Sequence, residues 1–487
     1  MKKIILTAIA AMVLLSVCLS SCTVVYENSD SNDSNTTAGP TSDPIESERP
    51  KTPVNAPSED ELSAVVATCS GTEITGEDFY FFLYYLCELI YKNNEAYIVN
   101  YYGGEKPDYR YTLKEQYIMS DTTWYDYMIP QTEGFIAEMC ALIKASVDDG
   151  MTVTDADRAR IQSDAANYEI PAGTEYISEA CRAKCLELIA LNDIFYYRHL
   201  EEKSAVTEDD INAEFEKNKK NYTMVDIKYY QISFSDDNAV TGANGATLPT
   251  KAQAQAYADR LMAAGASDEF EKIVEEIYKT HNPNYKEEDL KTILSYCKIE
   301  GQTYFEYDFL TWAFDSERKE GDVTSIESEN EDAISVTVCL KPAYPDESPT
   351  ASVRHILVDK EDQAKSILAE FEAGDKTEAS FAALATKYTT DPGSKYTGGL
   401  YSSFAQGTMV ESFNDWSFDE ARAEGDTGIV ATDYGYHIMY YVSEGMPMYK
   451  ATVQSTLVSE KKQAEYEKLV KDVKAEFIDG FIENINA

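Results

Sequence analysis

The chain has 487 residues, with 86 acidic against 42 basic side chains and a formal net charge of −44. A field this negative repels polyphosphate and excludes nucleic acid as a partner. Hydrophobic residues make up 44% of the chain, enough to fill folded cores, and the length exceeds what one core spans, so several domains are expected.

At the N-terminus, Lys2 and Lys3 precede an apolar run from Ile4 to Val17 that is short for a membrane span. Leu19-Ser20-Ser21-Cys22 then matches the pattern of bacterial lipoprotein cleavage. Residues 1–21 are therefore expected to be a signal peptide, and Cys22 the lipidation site. That places the mature chain on the extracytoplasmic face of the cell membrane, and losing Lys2 and Lys3 takes the charge from −44 to −46. Residues 22–60 are rich in Ser, Asn, Asp, Thr and Pro and read as a disordered tether. A flexible chain of that length reaches on the order of 35 Å.

From residue 61 to 222 the pattern is helical. Ala64–Ala67 reads as a strand, Ser70-Gly71 as a turn, and Thr75 with Asp78 as a capping box opening a helix through Ile98. That helix is apolar nearly all round and must be buried by others. Further helices are expected at 113–128, 131–149, 154–168, 175–202 and 207–220, with Thr154 and Thr207 as N-caps. Beyond the signal and Cys22 the cysteines are Cys69, Cys87, Cys140, Cys181, Cys185, Cys297 and Cys339. An odd number scattered among apolar neighbours reads as buried free thiols. Cys181 and Cys185 lie four apart on a helix face but lack the further ligands of a zinc site.

An internal repeat follows. The first copy, 223–345, has a strand around Lys228–Ile232, two helices, Trp312-Ala313-Phe314-Asp315, Gly321-Asp322 and a strand at 334–340. The second, 349–446, has Ser352–Val358, two helices, Trp416-Ser417-Phe418-Asp419, Gly425-Asp426 and a strand at 437–442. Trp-x-Phe-Asp and Gly-Asp recur at a constant offset of 104, so each copy is expected to be one α+β module. Residues 447–487 show apolar side chains at helical spacing and are expected to form a helix docked on the N-terminal domain.

Of four histidines, His355 and His437 fall in the first and last strands of the second copy. If those strands pair, the imidazoles face each other at about 5 Å. The sequence alignment sets Gln231 and Ala333 at these positions in the first copy. Taken alone, the pair is equally well read as two satisfied core histidines.

The motifs carry more. Arg354-His355-Ile356-Leu357, Phe381-x-x-Leu384-Ala385, Tyr388-Thr389-Thr390-Asp391-Pro392-Gly393-Ser394 and Gly398-Gly399 are followed by Phe404-x-x-Gly407-Thr408-Met409, Phe413, Phe418, Gly425 and Thr432-Asp433-Tyr434-Gly435-Tyr436-His437-Ile438. Together they resemble a parvulin rotamase domain in the arrangement of the PrsA- and SurA-type foldases. That resemblance implies a multidomain α+β chain: a helical chaperone domain completed by the C-terminal helix, and two tandem parvulin-like domains, the first degenerate.

It further implies a peptidyl-prolyl cis-trans isomerase with no cofactor or metal, acting on unfolded or partly folded secreted proteins. His355, Asp391, Tyr434 and His437 take the catalytic positions, Tyr434 where the family has Ser or Thr. Tyr401, Met409 and Phe413 line the proline pocket. Leu400-Tyr401-Ser402 departs from the acidic residue, Leu and Gly usual after Gly398-Gly399, at the border of the pocket. A binding-only holdase is the principal alternative, and a solute-binding lipoprotein a distant one.

Overall fold

Thr75, Thr154 and Thr207 each close a reciprocal capping box with the acidic residue three places on, and so set the starts of three helices. In the computed structural model, residues 51–69, 72–235, 245–328, 331–471, 476–477, 481 and 485 are described. The signal segment, Cys22, most of the tether and the Ser70-Gly71 turn lie outside them. No described helix is long and apolar enough to cross a membrane.

The chain is already docked at Lys51, ahead of the expected tether end at residue 60. Val54 N–H donates to Arg110 O at 3.1 Å and Thr112 N–H to Thr52 O at 2.9 Å, so backbone pairing helps hold this short stretch in place. The helical domain then runs α1 (Glu59–Ser63), β1 (Val65–Cys69), β2 (Thr72–Thr75), α2 (Gly76–Ala96), β3 (Tyr117–Met119), β4 (Thr122–Thr123), α3 (Trp124–Asp148), α4 (Asp155–Asn167), α5 (Glu179–Ile194), α6 (Leu200–Lys203) and α7 (Glu208–Lys217). α2 is buried on nearly every side, with Phe79, Tyr80, Phe82 and Leu83 fully covered.

The helix expected at 113–128 is instead a turn and a hairpin. The buried Gln116 amide donates to the carbonyls of Asp108, Tyr111 and Thr112, which ties that backbone into a loop. Thr123 caps α3, which runs on through Pro130. The 175–202 run breaks at a wide π-helical turn, Phe195–His199.

Two α+β units follow. The first comprises β5 (Thr223–Ser233), α8 (Lys251–Ala264), α9 (Glu269–His281), α10 (Glu287–Ser295), β6 (Lys298–Thr303), α11 (Asp308–Ala313), β7 (Val323–Glu327) and β8 (Ala333–Pro345). The second comprises β9 (Thr350–Val358), α12 (Glu361–Ala373), α13 (Glu378–Tyr388), β10 (Leu400–Ala405), α14 (Glu411–Ser417), β11 (Thr427–Thr432) and β12 (Gly435–Glu444). Their antiparallel sheets share one order, β6-β5-β8-β7 and β10-β9-β12-β11.

Equivalent hydrogen bonds fix the correspondence between the units. Tyr229 N–H donates to Cys297 O as His355 N–H does to Gly399 O, at 2.9 and 2.8 Å. Cys339 N–H donates to Asp322 O as Tyr441 N–H does to Asp426 O, at 2.8 and 2.9 Å. Arg318 lies over Trp312 and Arg422 over Trp416, at 4.9 and 4.1 Å. The counterparts of His355 and His437 are therefore Tyr229 and Ser335, each two residues from the sequence-aligned Gln231 and Ala333. A shift of two keeps every side chain on its own face, so the apolar pattern does not reveal it.

The chain ends with α15 (Met448–Val470) and β13 (Glu476–Phe477). α15 lies against α3, α6 and α7, and Tyr466 OH donates to Glu138 at 2.7 Å. The helical spacing of Phe477 does not hold: β13 pairs with the free edge of β1, whose backbone groups need partners. Phe477 and Phe481 then meet Phe79 edge-on at 5.8 and 5.5 Å.

Candidate active site

Residues 353, 355 and 357 of β9 pair with 441, 439 and 437 of β12, so His355 and His437 share one face of the central strand pair. They are diagonal rather than directly opposite: His355 faces Met439 and His437 faces Leu357. Their rings lie 5.2 Å apart, inclined by 20°, and Nδ1 meets Nδ1 at 3.0 Å. Both are buried, at 2% and 6% exposure. Behind the sheet, α12 and α13 pack Ile367, Phe371 and Phe381 against Ile356 and Ile438.

The 389–399 loop brings the carboxylate. Thr390 N–H donates to Leu357 O at 2.9 Å, stapling the start of the loop to β9. Gly399, at φ +76°, staples its end: a Cβ there would sit 2.3 Å from His355 O and 2.8 Å from Ala385 Cβ. Between the staples, Asp391 Oδ2 accepts from His355 Nε2 at 3.1 Å, from Tyr401 OH at 3.1 Å, and from Ser394 Oγ in a short bond. Ser394 Oγ also lies 3.1 Å from His355 Nε2. On the far side, Thr432 Oγ1 meets His437 Nε2 at 2.9 Å and accepts from Tyr434 N–H at 3.1 Å.

Running outward from the ionised carboxylate, one proton order, assigned from the network, satisfies every partner without a charged imidazole. His355 Nε2–H donates to Asp391, His437 Nδ1–H donates to His355 Nδ1, and the Thr432 hydroxyl donates to His437 Nε2. Burial pushes the Asp391 carboxyl up, but the hydrogen bonds from His355, Ser394 and Tyr401 outweigh it and hold the group well below the usual range. Burial, then the neighbouring His355, push His437 down to about 4 against the pull of Asp391. The network is thus polarised, with its negative end at Asp391 and a neutral imidazole at His437.

The other side of the imidazoles is apolar. Phe413 stands edge-on to both, at 5.5 Å from His355 and 5.3 Å from His437. Tyr401 stacks on His355 at 5.0 Å. Met409, Tyr401, Phe404, Phe413 and Met439 belong to one cluster on this face. Six of the seven residues singled out in this unit therefore converge.

Tyr434 does not. Its side chain is 61% exposed at the β11–β12 turn, and the hydroxyl on His437 belongs to Thr432. Ser394 was likewise missed as a site residue. The available signal was the Asp-Pro-Gly-Ser turn, which puts a hydroxyl three residues from a carboxylate.

Among the described residues, one group of side chains with metal-ligand chemistry comes together, in the helical domain. Asp78 Oδ1 accepts from Cys181 Sγ at 3.5 Å and Cys185 Sγ at 3.4 Å. Lys184 pairs with the same carboxylate, and Asp78 and Cys181 both lie in first helical turns, so the local field opposes a cation. Cys87, Cys181, Cys185, Cys297 and Cys339 are buried free thiols, and Cys140 is buried as well.

Residues 343–444 match the model of the PPIC-type PPIase domain. Foldase protein PrsA 1 of Listeria innocua is 36% identical over 149 residues, covering 29% of this chain and 48% of the relative. Foldase protein PrsA of a Geobacillus species is 34% identical over 155 residues, covering 30% and 54%. The chain thus spans about half the length of these curated relatives. A crystal structure of a peptidylprolyl isomerase (PrsA) from Bacillus cereus is 23% identical, covering 48% of this chain and 90% of that one, with a TM-score of 0.21. At that score the overlap carries no argument about the arrangement of the whole chain. The family model covers the stretch that holds the paired imidazoles: over residues 343–444 this chain carries a parvulin, a domain of the PPIC-type peptidyl-prolyl isomerase family.

Proposed function

We propose that the second α+β unit accelerates cis–trans isomerisation of X–Pro bonds in unfolded or partly folded exported proteins. The whole chain then acts as a foldase held at the extracytoplasmic face of the cell membrane by lipid on Cys22. The observation that carries this reading is the buried His355–His437 pair beneath Phe413, within the stretch that matches the isomerase family.

Rotation about X–Pro meets a barrier of about 18–20 kcal/mol, because amide resonance must be lost. No covalent bond forms or breaks, so the protein's task is to favour the twisted amide over the planar one. Phe413, Met409 and Tyr401 form the apolar wall for the pyrrolidine ring and exclude water from the amide carbonyl. The planar amide, the more dipolar form, loses more from that exclusion. His355, His437, Asp391, Ser394 and Thr432 hold the wall's polar floor in one geometry. Tyr434 and Val410, 61% and 42% exposed, flank the wall and contact residues beside the proline.

We read the first unit as a degenerate copy of the same fold. Tyr229 and Ser335 fill the imidazole positions, and Phe309 lies over Tyr229 at 4.2 Å, inclined by 30°, where Phe413 stands edge-on to His355 at 5.5 Å. Phe305 and Tyr307, 57% and 62% exposed, offer aromatic surface to clients without a network for catalysis.

Refolding of a denatured client whose slow phase is proline-limited tests the reading. The full chain shortens that phase. His355→Ala and His437→Ala each abolish the acceleration while suppressing aggregation as well as the parent does. A chain that is folded by circular dichroism yet leaves the slow phase unchanged removes the isomerase and leaves a binding-only holdase.

A further inference from the structure

The loop that carries Asp391 is gripped from outside its own domain. Its inner side faces His355; its outer side faces the helical domain, where α4 lies against α13. At the start of the loop, Arg160 of α4 donates from Nη1 to Thr389 O in a short bond, while Asp164 accepts from its Nε at 2.8 Å and holds the guanidinium in place. Thr389 is itself fully buried, and its Oγ1 accepts from Leu357 N–H and Asp391 N–H at 3.0 and 3.2 Å.

Five residues beyond Asp391, Tyr396 is 7% exposed, and what covers it is the helical domain. Its ring lies parallel to Tyr197 at 6.4 Å, within a cluster formed by Ile161, Ala190 and Ile194. Arg198 donates to Tyr396 O at 3.2 Å, and Arg198 is pinned by two bonds of 2.8 Å to the buried Asp157, the capping residue of α4.

A Tyr side chain plugged into another domain's core leaves the loop little freedom, because the cluster is packed and the guanidinium is held bidentately. The segment from Thr389 to Tyr396 is therefore held between two bodies, with Asp391 and Ser394 at its middle. We propose that Arg160, acting through Thr389, and Arg198 and Tyr197, acting through Tyr396, are positioning residues of the helical domain for the isomerase site: they hold the Asp391 loop at hydrogen-bond distance from His355. This rests on the isomerase reading for its kinetic consequence, but the hydrogen bond itself is observable without activity.

The test uses the full chain with Tyr396→Ala, Tyr396→Phe and Arg160→Gln, each checked for folding by circular dichroism. Two readouts are taken: kcat and KM for an X–Pro peptide, and the hydrogen-bonded His355 Nε2 proton in NMR spectra. Tyr396→Ala and Arg160→Gln are expected to lower kcat by about tenfold with KM unchanged and to broaden or remove the imidazole proton, while Tyr396→Phe restores both. Folded variants with parental kcat and an intact imidazole proton overturn the proposal. If the parent chain shows no isomerase activity, that reading fails separately, and persistence of the proton in Tyr396→Ala still decides this one. If Tyr396→Ala does not fold, Arg160→Gln, which leaves the apolar cluster around Tyr396 intact, decides it alone.

Discussion

The neutral imidazole of His437 makes the stability of the second α+β unit depend on pH in a definite window. In the unfolded chain a histidine takes up its proton near pH 6.5, whereas folding holds His437 down to about 4. Between these values the unfolded state binds more protons, so stability is full above pH 6.5 and falls as pH drops toward 4. The span of about 2.5 pH units, at about 1.36 kcal/mol each, amounts to on the order of 3 kcal/mol. Asp391 acts in a separate window: its carboxyl is depressed, so its contribution is lost only below the unfolded value of about 3.9. Urea unfolding, followed by Trp416 fluorescence with Trp124 and Trp312 changed to Phe, isolates this unit. With a slope of about 1–3 kcal/mol/M, the midpoint falls by about 1–3 M between pH 7 and pH 4. His437→Gln removes the titration and flattens the curve over that range. A Gln variant that loses stability in parallel with its parent refutes the reasoning.

Three further outcomes follow from the geometry. Gly399→Ala adds a positive-φ penalty of about 1–2 kcal/mol to a clash with His355 O, whereas Gly407→Ala, also at positive φ, meets no atom within 4 Å. The Trp416-reported midpoint therefore falls further for Gly399→Ala, and equal losses contradict the staple. Thr432→Val deletes the hydroxyl on His437 and slows isomerisation, while Tyr434→Ser leaves kcat unchanged and shifts KM; peptide kinetics on the two variants distinguish them. Tyr229→Ala in the first unit leaves the isomerisation of short peptides unchanged, and a loss of activity there would place catalytic groups in the wrong repeat.

The parts of the fold legible in the sequence are those set by local chemistry. Thr75, Thr154 and Thr207 announce helix starts because a hydroxyl and a carboxylate three residues apart satisfy each other's backbone donors. The shared face of His355 and His437 follows from strand alternation, but their diagonal placement does not, since register depends on pairing across the sheet. The same ambiguity misplaces the repeat's equivalents by two residues, from Tyr229 to Gln231 and from Ser335 to Ala333.

Tyr434 and Thr432 are also two residues apart, on a hairpin whose turn position decides which hydroxyl points inward. The hairpin before α3 is hidden because it depends on one buried amide, Gln116, gathering three carbonyls. The grip of the helical domain on Tyr396 joins residues about 200 positions apart by numbering, Tyr197 and Tyr396, and has no local signature.

Magnetisation-exchange NMR on a short X–Pro peptide gives the most direct measurement, with the full-length protein at substoichiometric concentration. Uncatalysed exchange takes tens to hundreds of seconds, so any acceleration is read against a silent background. Exchange is expected to become fast with the parent chain and to fall by about tenfold or more with His355→Ala. A folded parent chain that leaves the peptide at its uncatalysed rate, or a His355→Ala variant as fast as its parent, contradicts the assignment of catalysis to the paired imidazoles.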